Sequence, residues 1–313
     1  MTARIIMKLH VESARMTTHD VVHLRLVHPL RPELPEWTAG AHVDLRMPDG
    51  KIRQYSLCGD PNDRSGYEIA VKREPAGRGG SRWVHDNLSV GAVAHVSAPR
   101  NNFSLVSGSK HTVLVAGGIG ITPFISMARV LAMQGTEFIL HYCAKTPTDA
   151  PLLHEVRKIC ESRLRCWFSK RGSRFDPAVI SIDRPDTHVY VCGPERLVEA
   201  VRHGLPKLPD ARFHGEMFTA TLDENFNAEP FEVTIASTGQ QLLVPADRSL
   251  LEVLRESGFS ISSSCELGVC GSCECGYRDG IVIHRDKLLP VSKRQDRLLP
   301  CVSRARVSVT LNL

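Results

Sequence analysis

Along roughly the first hundred residues, apolar and polar positions alternate in short runs. Val21-Val22-His23-Leu24-Arg25-Leu26, His42-Val43-Asp44-Leu45 and Tyr67-Glu68-Ile69-Ala70-Val71 are of this kind, and turns carrying Pro29, Pro32, Pro35 and Pro48-Asp49-Gly50 separate them. Side chains on a strand point alternately to its two faces, so period-two runs at this spacing predict a small antiparallel barrel. From His111 the pattern changes. Continuous apolar runs (Thr112–Ala116, Phe138–Cys143, His188–Cys192) alternate with helical patterns at Pro123–Met133, Leu152–Ile159 and Glu195–His203. That alternation predicts βα units on a parallel sheet. Residues 219–230 (TATLDENFNAEP) are polar, acidic and without apolar periodicity, as expected of a linker. Beyond them Phe231–Ile235 and Gln241–Val244 read as a hairpin, Arg248–Glu256 as a helix, and a cysteine-rich loop follows. We divide the chain into a barrel domain (1–106), an α/β domain (107–222), a linker (223–230) and a C-terminal domain (231–313).

Composition narrows the function. At 313 residues there is room for two or three cores, and 42% apolar with 23% charged residues is ordinary for a globular chain. The net charge of +5 lies in the first 227 residues, because from Ala228 onward ten Lys/Arg face ten Asp/Glu. No dense Lys/Arg run with interleaved aromatics is present, which argues against nucleic acid and leaves anionic small ligands such as nucleotides. The start MTARIIMKLHVESA lacks the long apolar core of a secretion signal. Thr112–Met133 is the most apolar stretch, but Gly117-Gly118, Gly120, Thr122-Pro123 and Arg129 interrupt it, which suits a buried strand, turn and helix better than lipid. The expectation is a cytoplasmic protein with no membrane partner.

Five of the ten cysteines fall between Cys265 and Cys301. In a chain that is neither small nor visibly secreted, such crowding points to a metal centre rather than disulfides. Cys265, Cys270 and Cys273 form C-x4-C-x2-C, and 27 residues separate Cys273 from Cys301. This is the spacing of a plant-type [2Fe–2S] centre. Ser262-Ser263-Ser264, Gly268, Gly271 and Ser272 are small enough to let the backbone bend around a cluster and aim N–H groups at its sulfurs. Cys275 alternates with Cys273 across Glu274 and should point to the opposite face. A structural zinc usually pairs two short knuckles, and a thioredoxin-like Cys270–Cys273 pair needs a βα context; neither is found here.

Three glycine- or arginine-bearing signals precede the cysteines. Arg53-Gln54-Tyr55-Ser56-Leu57 ends a barrel strand: Arg offers a forked phosphate donor, Tyr can pack on a flavin, and Ser can reach flavin N5. Gly77-Arg78-Gly79-Gly80-Ser81 leads into a possible helix at Arg82–Asn87, where N–H groups could cradle a phosphate; a flexible turn is the alternative. Gly117-Gly118-Ile119-Gly120-Ile121-Thr122-Pro123 follows a buried strand and opens a helix, the context of a pyrophosphate- or nicotinamide-binding turn, or else of a purely structural one. Cys192-Gly193-Pro194 follows another buried strand at the same carboxyl edge.

In this order, RQYSL, AVKRE (Ala70–Glu74), GRGGS, GGIGITP, VCGP (Val191–Pro194) and HGEMF (His214–Phe218) resemble the ferredoxin–NAD(P)+ reductase superfamily. PADRSLLEVL (Pro245–Leu254), SCELGVCGSC, HRD (His284–Asp286) and CVSRA (Cys301–Ala305) are similar to its phthalate dioxygenase reductase branch. The resemblance implies a flavin barrel, a nucleotide domain and a β-grasp ferredoxin domain. It implies FMN rather than FAD, NADH or NADPH as donor, and a [2Fe–2S] cluster on Cys265, Cys270, Cys273 and Cys301. Arg53, Tyr55, Ser56, Ala70, Val71, Lys72, Gly80 and Ser81 would contact FMN, with Thr122 and Phe218 approaching its ring. Gly117, Gly118, Gly120, Cys192, Gly193 and Pro194 would line the nicotinamide nucleotide, and Ser56, Cys192 and Glu216 would lie nearest the hydride transfer. Ser169-Lys170-Arg171 after the strand ending at Phe168 resembles a 2′-phosphate pocket, with a solvated basic loop as the alternative. The implied activity is passage of electrons from NAD(P)H through flavin and cluster to a Rieske-type oxygenase acting on an aromatic or related substrate. A haem monooxygenase as acceptor, a flavin/iron–sulfur redox sensor and a zinc-bearing interaction protein are the rivals.

Overall fold

In the computed structural model the period-two runs are strands: β1 (Ile6–Thr18), β2 (Val21–Val27), β3 (His42–Arg46), β4 (Ile52–Ser56), β5 (Tyr67–Lys72) and, after helix α1 (Gly80–Asn87), β6 (Val93–Ser97). Residues 5–75, 77, 79–218, 226–263, 265–286 and 288–313 are described; Arg78 of the glycine turn, Ser264 of the cysteine loop and residues 219–225 of the expected linker lie outside them. The strands run in the order β4-β3-β6-β1-β2-β5, all antiparallel. A bridge between Leu57 and Ile69 links the two edges, which curls the sheet into a barrel. Leu9, Leu24, Val43, Leu45, Leu57, Ile69 and Val96 fill its interior, and α1 adds Val84. This helix starts at Gly80, two residues before the expected Arg82, because Gly79 at φ +87 makes the entry turn.

The second pattern gives β7 (His111–Gly117), α2 (Thr122–Met133), β8 (Glu137–Ala144), α3 (Leu153–Cys160), β9 (Leu164–Phe168), β10 (Thr187–Gly193), α4 (Glu195–Gly204) and β11 (Phe213–Met217). The strands pair in parallel in the order β11-β10-β7-β8-β9. Strand order reverses between β7 and β10, and in open α/β sheets ligands bind outside the carboxyl ends at such a point. Barrel and parallel sheet belong to one compact unit, Met1–Phe218. Val21, Ala39, Cys58, Ala70 and Phe103 of the barrel share an apolar cluster with Ala116, Phe124, Met127, Tyr142 and Cys192. Gly40 sits at that seam at φ +90, where a Cβ would lie 2.1 Å from the Phe103 carbonyl oxygen, and its N–H donates to Ser126 Oγ at 3.3 Å. No helix among the described residues is long and apolar enough to cross a membrane.

The second unit, Thr219–Leu313, holds β12 (Phe231–Ile235), β13 (Gln241–Val244), α5 (Leu250–Glu256), β14 (Cys275–Ile283), β15 (Arg297–Leu298) and β16 (Arg304–Leu311) in the order β13-β12-β16-β14-β15. Only β12 and β16 pair in parallel. Helix α5 begins two residues after the expected Arg248 because Ser249 caps it. Ser249 Oγ accepts from the Glu252 N–H at 3.2 Å, and Glu252 Oε2 accepts from the Ser249 N–H at 2.8 Å.

Arg304 fastens this unit. Its buried guanidinium donates to the carbonyl oxygens of Arg248 (2.7 Å), Pro245 (2.8 Å) and Glu229 (2.9 Å) and lies over the Phe231 ring. Arg304→Met keeps the stem but strands three carbonyls, at about 1–3 kcal/mol each. The expected result is a loss of about 3 kcal/mol or more in the stability of this unit, read by urea denaturation at the visible absorbance of the loaded protein. A midpoint unchanged from the wild type contradicts the clasp.

Candidate functional site

Helix α5 delivers the chain into the cysteine loop, and Cys301 reaches the same place from the turn before β16. The thiols meet in two pairs. Cys265 and Cys270 are hydrogen-bonded, and Cys273 Sγ lies 3.3 Å from Cys301 Sγ. Within each pair the shared proton raises one thiol (Cys265, Cys301) and holds the other (Cys270, Cys273) below the usual range. Backbone N–H groups converge on the sulfurs: Leu267 donates to Cys265 at 3.3 Å, Val269 also faces Cys265, Ser272 faces Cys270 and Gly268 faces Cys301. Glu266, Gly268 and Gly271 adopt left-handed φ values of 54°, 73° and 70°, which turns successive amides inward to make an anion-binding concavity. A Cβ on Gly268 would come 2.6 Å from Val302 Cγ2, and one on Gly271 2.7 Å from Leu288 Cδ2, so the loop packs too closely for side chains.

This donor set fits a [2Fe–2S] cluster. Two thiols per iron and a nest of amides for the charged sulfurs are what four thiolates on two irons require. Cys275 does point away. It lies with Phe231, Tyr277 and Leu311 in the other core, where burial raises its thiol to about 12. Sequence reasoning missed the brace behind the loop, in which Glu266 Oε1 accepts from Arg255 and from Ser263 Oγ, each at 2.9 Å. Its signal, a cation in the last turn of α5, is shared by most helices.

In the first unit the structure brings RQYS and the glycine turn together. A Cβ on Gly80 would sit 2.8 Å from Arg53 Cγ and Nε, so the Arg53 side chain lies across the start of α1. Among the described residues no side chain caps α1 and no acid lies in its first turn, which leaves its leading N–H groups for an anion. Arg53 and these amides fit a phosphate. Ser56 is buried at the end of β4 opposite His42, and Tyr55 is half-buried beside the barrel core. Ala70 and Val71 are buried on β5, whereas Lys72 Nζ is tied to Glu74 Oε1 at 2.6 Å. Ser81 Oγ accepts from the Glu74 N–H at 3.0 Å.

The two glycine turns of the parallel sheet interlock. Gly118–Ile121 is a 3-10 turn leading into α2, and a Cβ on Gly120 would lie 2.2 Å from the Cys192 carbonyl oxygen. A Cβ on Gly117 would lie 2.8 Å from Pro194 Cδ. Thr122 Oγ1 donates to the Ile119 carbonyl at 3.1 Å, and Phe218 packs on the apolar cluster that holds Ala70 and Cys192. Cys192 Sγ donates to Glu216 Oε2 at 3.8 Å. Burial pushes the Glu216 carboxyl up to about 7 and the Cys192 thiol far above its ordinary range. At the end of β9, Ser169–Arg171 forms an exposed turn, and the Lys170 N–H donates to the Lys145 carbonyl at 3.0 Å.

Glu216 links pH to stability. Its carboxyl titrates near 4.5 when the chain is unfolded and near 7 when folded, so its favourable contribution is complete below about pH 4.5 and is lost as pH rises through 7. The stability of the wild type relative to Glu216→Gln should fall by about 3 kcal/mol across that interval. Denaturation followed by tryptophan fluorescence reports it, since all three tryptophans lie in this unit. A difference that does not change with pH refutes the buried acid.

The family model for the 2Fe-2S iron-sulfur cluster binding domain matches residues 233–306. The phthalate 4,5-dioxygenase oxygenase reductase subunit of Pseudomonas putida is 39% identical over 295 residues, covering 92% of this chain and 91% of its own. The solved structure of phthalate dioxygenase reductase matches with a TM-score of 0.80 at 37% identity over 98% of each chain. An intact type IV self-sufficient cytochrome P450 monooxygenase matches with a TM-score of 0.83 at 36% identity, over 99% of this chain and 41% of that longer one. The chain therefore belongs to the phthalate dioxygenase reductase-type family and is an NAD(P)H-dependent oxidoreductase, the flavin- and [2Fe–2S]-bearing reductase component of an oxygenase system.

Proposed function

We propose that the flavin is FMN, that the nucleotide is NADPH, and that the electrons leave for a Rieske-type oxygenase in the cytoplasm. The observation that carries the flavin assignment is the meeting of Arg53 with Gly80 at the start of α1, a forked donor and open helix amides that suit a terminal phosphate. When bound, the flavin would supply the step from two-electron hydride chemistry at the nicotinamide to one-electron transfer to the iron–sulfur cluster. The chain's own residues bind and orient. Residues 1–106 would hold the flavin through Arg53, Tyr55, Ser56, Ala70, Val71, Lys72, Gly80 and Ser81, with Ser56 serving the ring nitrogen. Residues 107–222 present Gly117, Gly118, Gly120, Cys192, Gly193 and Pro194 to the nucleotide, and Thr122 and Phe218 to the ring. Cys192 and Glu216, joined by the Sγ–Oε2 hydrogen bond, would set the polarity beside the nicotinamide. Residues 223–230 join these to 231–313, where Cys265, Cys270, Cys273 and Cys301 ligate the cluster.

For the nucleotide, the exposed basic turn Ser169–Arg171 after β9 supports a 2′-phosphate, to which Arg binds as a fork and Lys as a point charge. For the acceptor, the phthalate dioxygenase reductase match supports a Rieske-type partner. The P450 match supports a haem monooxygenase as the second reading.

The test is anaerobic reduction of the purified, fully loaded protein, followed in the visible range. Flavin and iron–sulfur bands should bleach faster with NADPH than with NADH, and denaturation should release FMN. The double variant Lys170→Ala/Arg171→Ala should lose about tenfold or more in kcat/KM for NADPH and little for NADH, since hydrogen bonds to charged groups contribute about 1.5–3 kcal/mol. Faster bleaching by NADH overturns the nucleotide assignment, and released FAD overturns FMN. Stopped-flow transfer to a purified Rieske oxygenase and to a P450 separates the two acceptors.

A further inference from the structure

Behind the cysteine loop lie two side chains that neither cluster ligation nor sheet packing explains. The side chain of Asp286 is wholly buried, and its backbone packs on the loop: a Cβ on Gly268 would come 3.1 Å from Asp286 Cα. Gly268 is the residue whose N–H faces Cys301. Asp286 Oδ1 accepts from the N–H groups of Leu288 (3.1 Å) and Leu289 (2.7 Å). Among the described residues Oδ2 has no hydrogen-bond partner, and neither has the buried Nδ1 of His284, 3.6 Å away. The other imidazole nitrogen, Nε2, lies 3.1 Å from the Arg294 carbonyl oxygen, which can only accept. Nε2 therefore carries a proton, and in a neutral ring Nδ1 would aim a lone pair at an anionic oxygen. A second proton, on Nδ1, turns this mismatch into a charge-assisted pair.

The surroundings decide which group receives it. Oδ1 is already engaged, accepting from two amides and lying 3.8 Å from the Arg294 guanidinium, so the imidazole is the group open to a further proton. Arg294 is itself held by the carbonyl oxygens of Leu289 (3.0 Å) and Asp286 (3.2 Å). The Tyr277 hydroxyl donates to the Arg294 carbonyl at 2.6 Å, with Asp296 beyond it. Arg285 is engaged over the Phe226 ring, and Lys287 lies outside the described residues. His284 keeps 11% of its side chain exposed while its Nδ1 and the Asp286 side chain are buried, so water lies at the edge of the pair rather than on it.

We propose that His284, held by Asp286, takes up a proton when the cluster is reduced. One electron from the flavin adds a negative charge to the cluster, and one proton moves from water to His284 Nδ1. When the electron passes to the oxygenase, the proton returns to water. Charge therefore stays balanced behind the loop, where low polarity makes an uncompensated charge costly. The proposal rests on the four-cysteine cluster, so iron content and the visible spectrum are checked before each measurement.

The test is a mediated redox titration of the holoprotein, following the EPR signal of the reduced cluster between about pH 5 and 8, where imidazoles titrate. The wild-type potential should fall as pH rises, by up to 59 mV per unit, the limit for one proton per electron. His284→Gln should be flat. Asp286→Asn should move the pH-dependent window to lower pH, because the anion that favours the imidazolium is gone. A wild-type potential independent of pH overturns the proposal, as does a slope that survives in a fully loaded His284→Gln protein. A wild type without a cluster overturns the ligand assignment and the proposal together.

Discussion

Charged sulfur cannot be buried unless something answers its charge, and the C-terminal unit is organised around that constraint. The answer is peptide N–H groups, which must turn inward over a few residues, and only left-handed backbone turns them so. Glu266, Gly268 and Gly271 supply that geometry. The close packing of Val302, Leu288 and Asp286 follows, because a loop with glycine at its tightest points can be approached by neighbours that a side chain would hold off. Arg255, Ser263 and Glu266 then lock the strained entry to the loop.

The first unit meets the complementary problem of recognising phosphate and nicotinamide groups with little side-chain machinery. It uses ends of elements: the open start of α1 beside Arg53, and two strand-end turns pressed together at Gly120 and Cys192. Because the Gly120 backbone rests on the Cys192 carbonyl, neither turn can shift without the other. Cys192 and Glu216 are hydrogen-bonded to one another there, and Thr122 to the Ile119 carbonyl.

What could be read in advance was local. C-x4-C-x2-C specified its chemistry because the ligands and the small residues that shape the loop are neighbours in sequence, and the period-two and βα patterns showed which segments pair. Pairings across long separations were hidden. Arg53 and Gly80 are 27 positions apart, Cys192 and Glu216 meet only because β10 and β11 lie side by side, and nothing in CVSRA marks Arg304 as a threefold donor. Helix starts moved by two residues at α1 and α5 for local reasons, a left-handed Gly79 and a Ser249 cap that outranks Arg248.

The Arg304 clasp also sets where this chain can be cut and rejoined. An arginine on the last strand grips the carbonyl of Glu229, ahead of the first strand, so the unit's beginning and end are stitched at one point. A junction placed upstream of Glu229 transplants the stitch whole, and one placed downstream leaves a donor without its acceptor. The unit is thus a cassette whose boundary is set by a hydrogen bond rather than by the first residue of a strand.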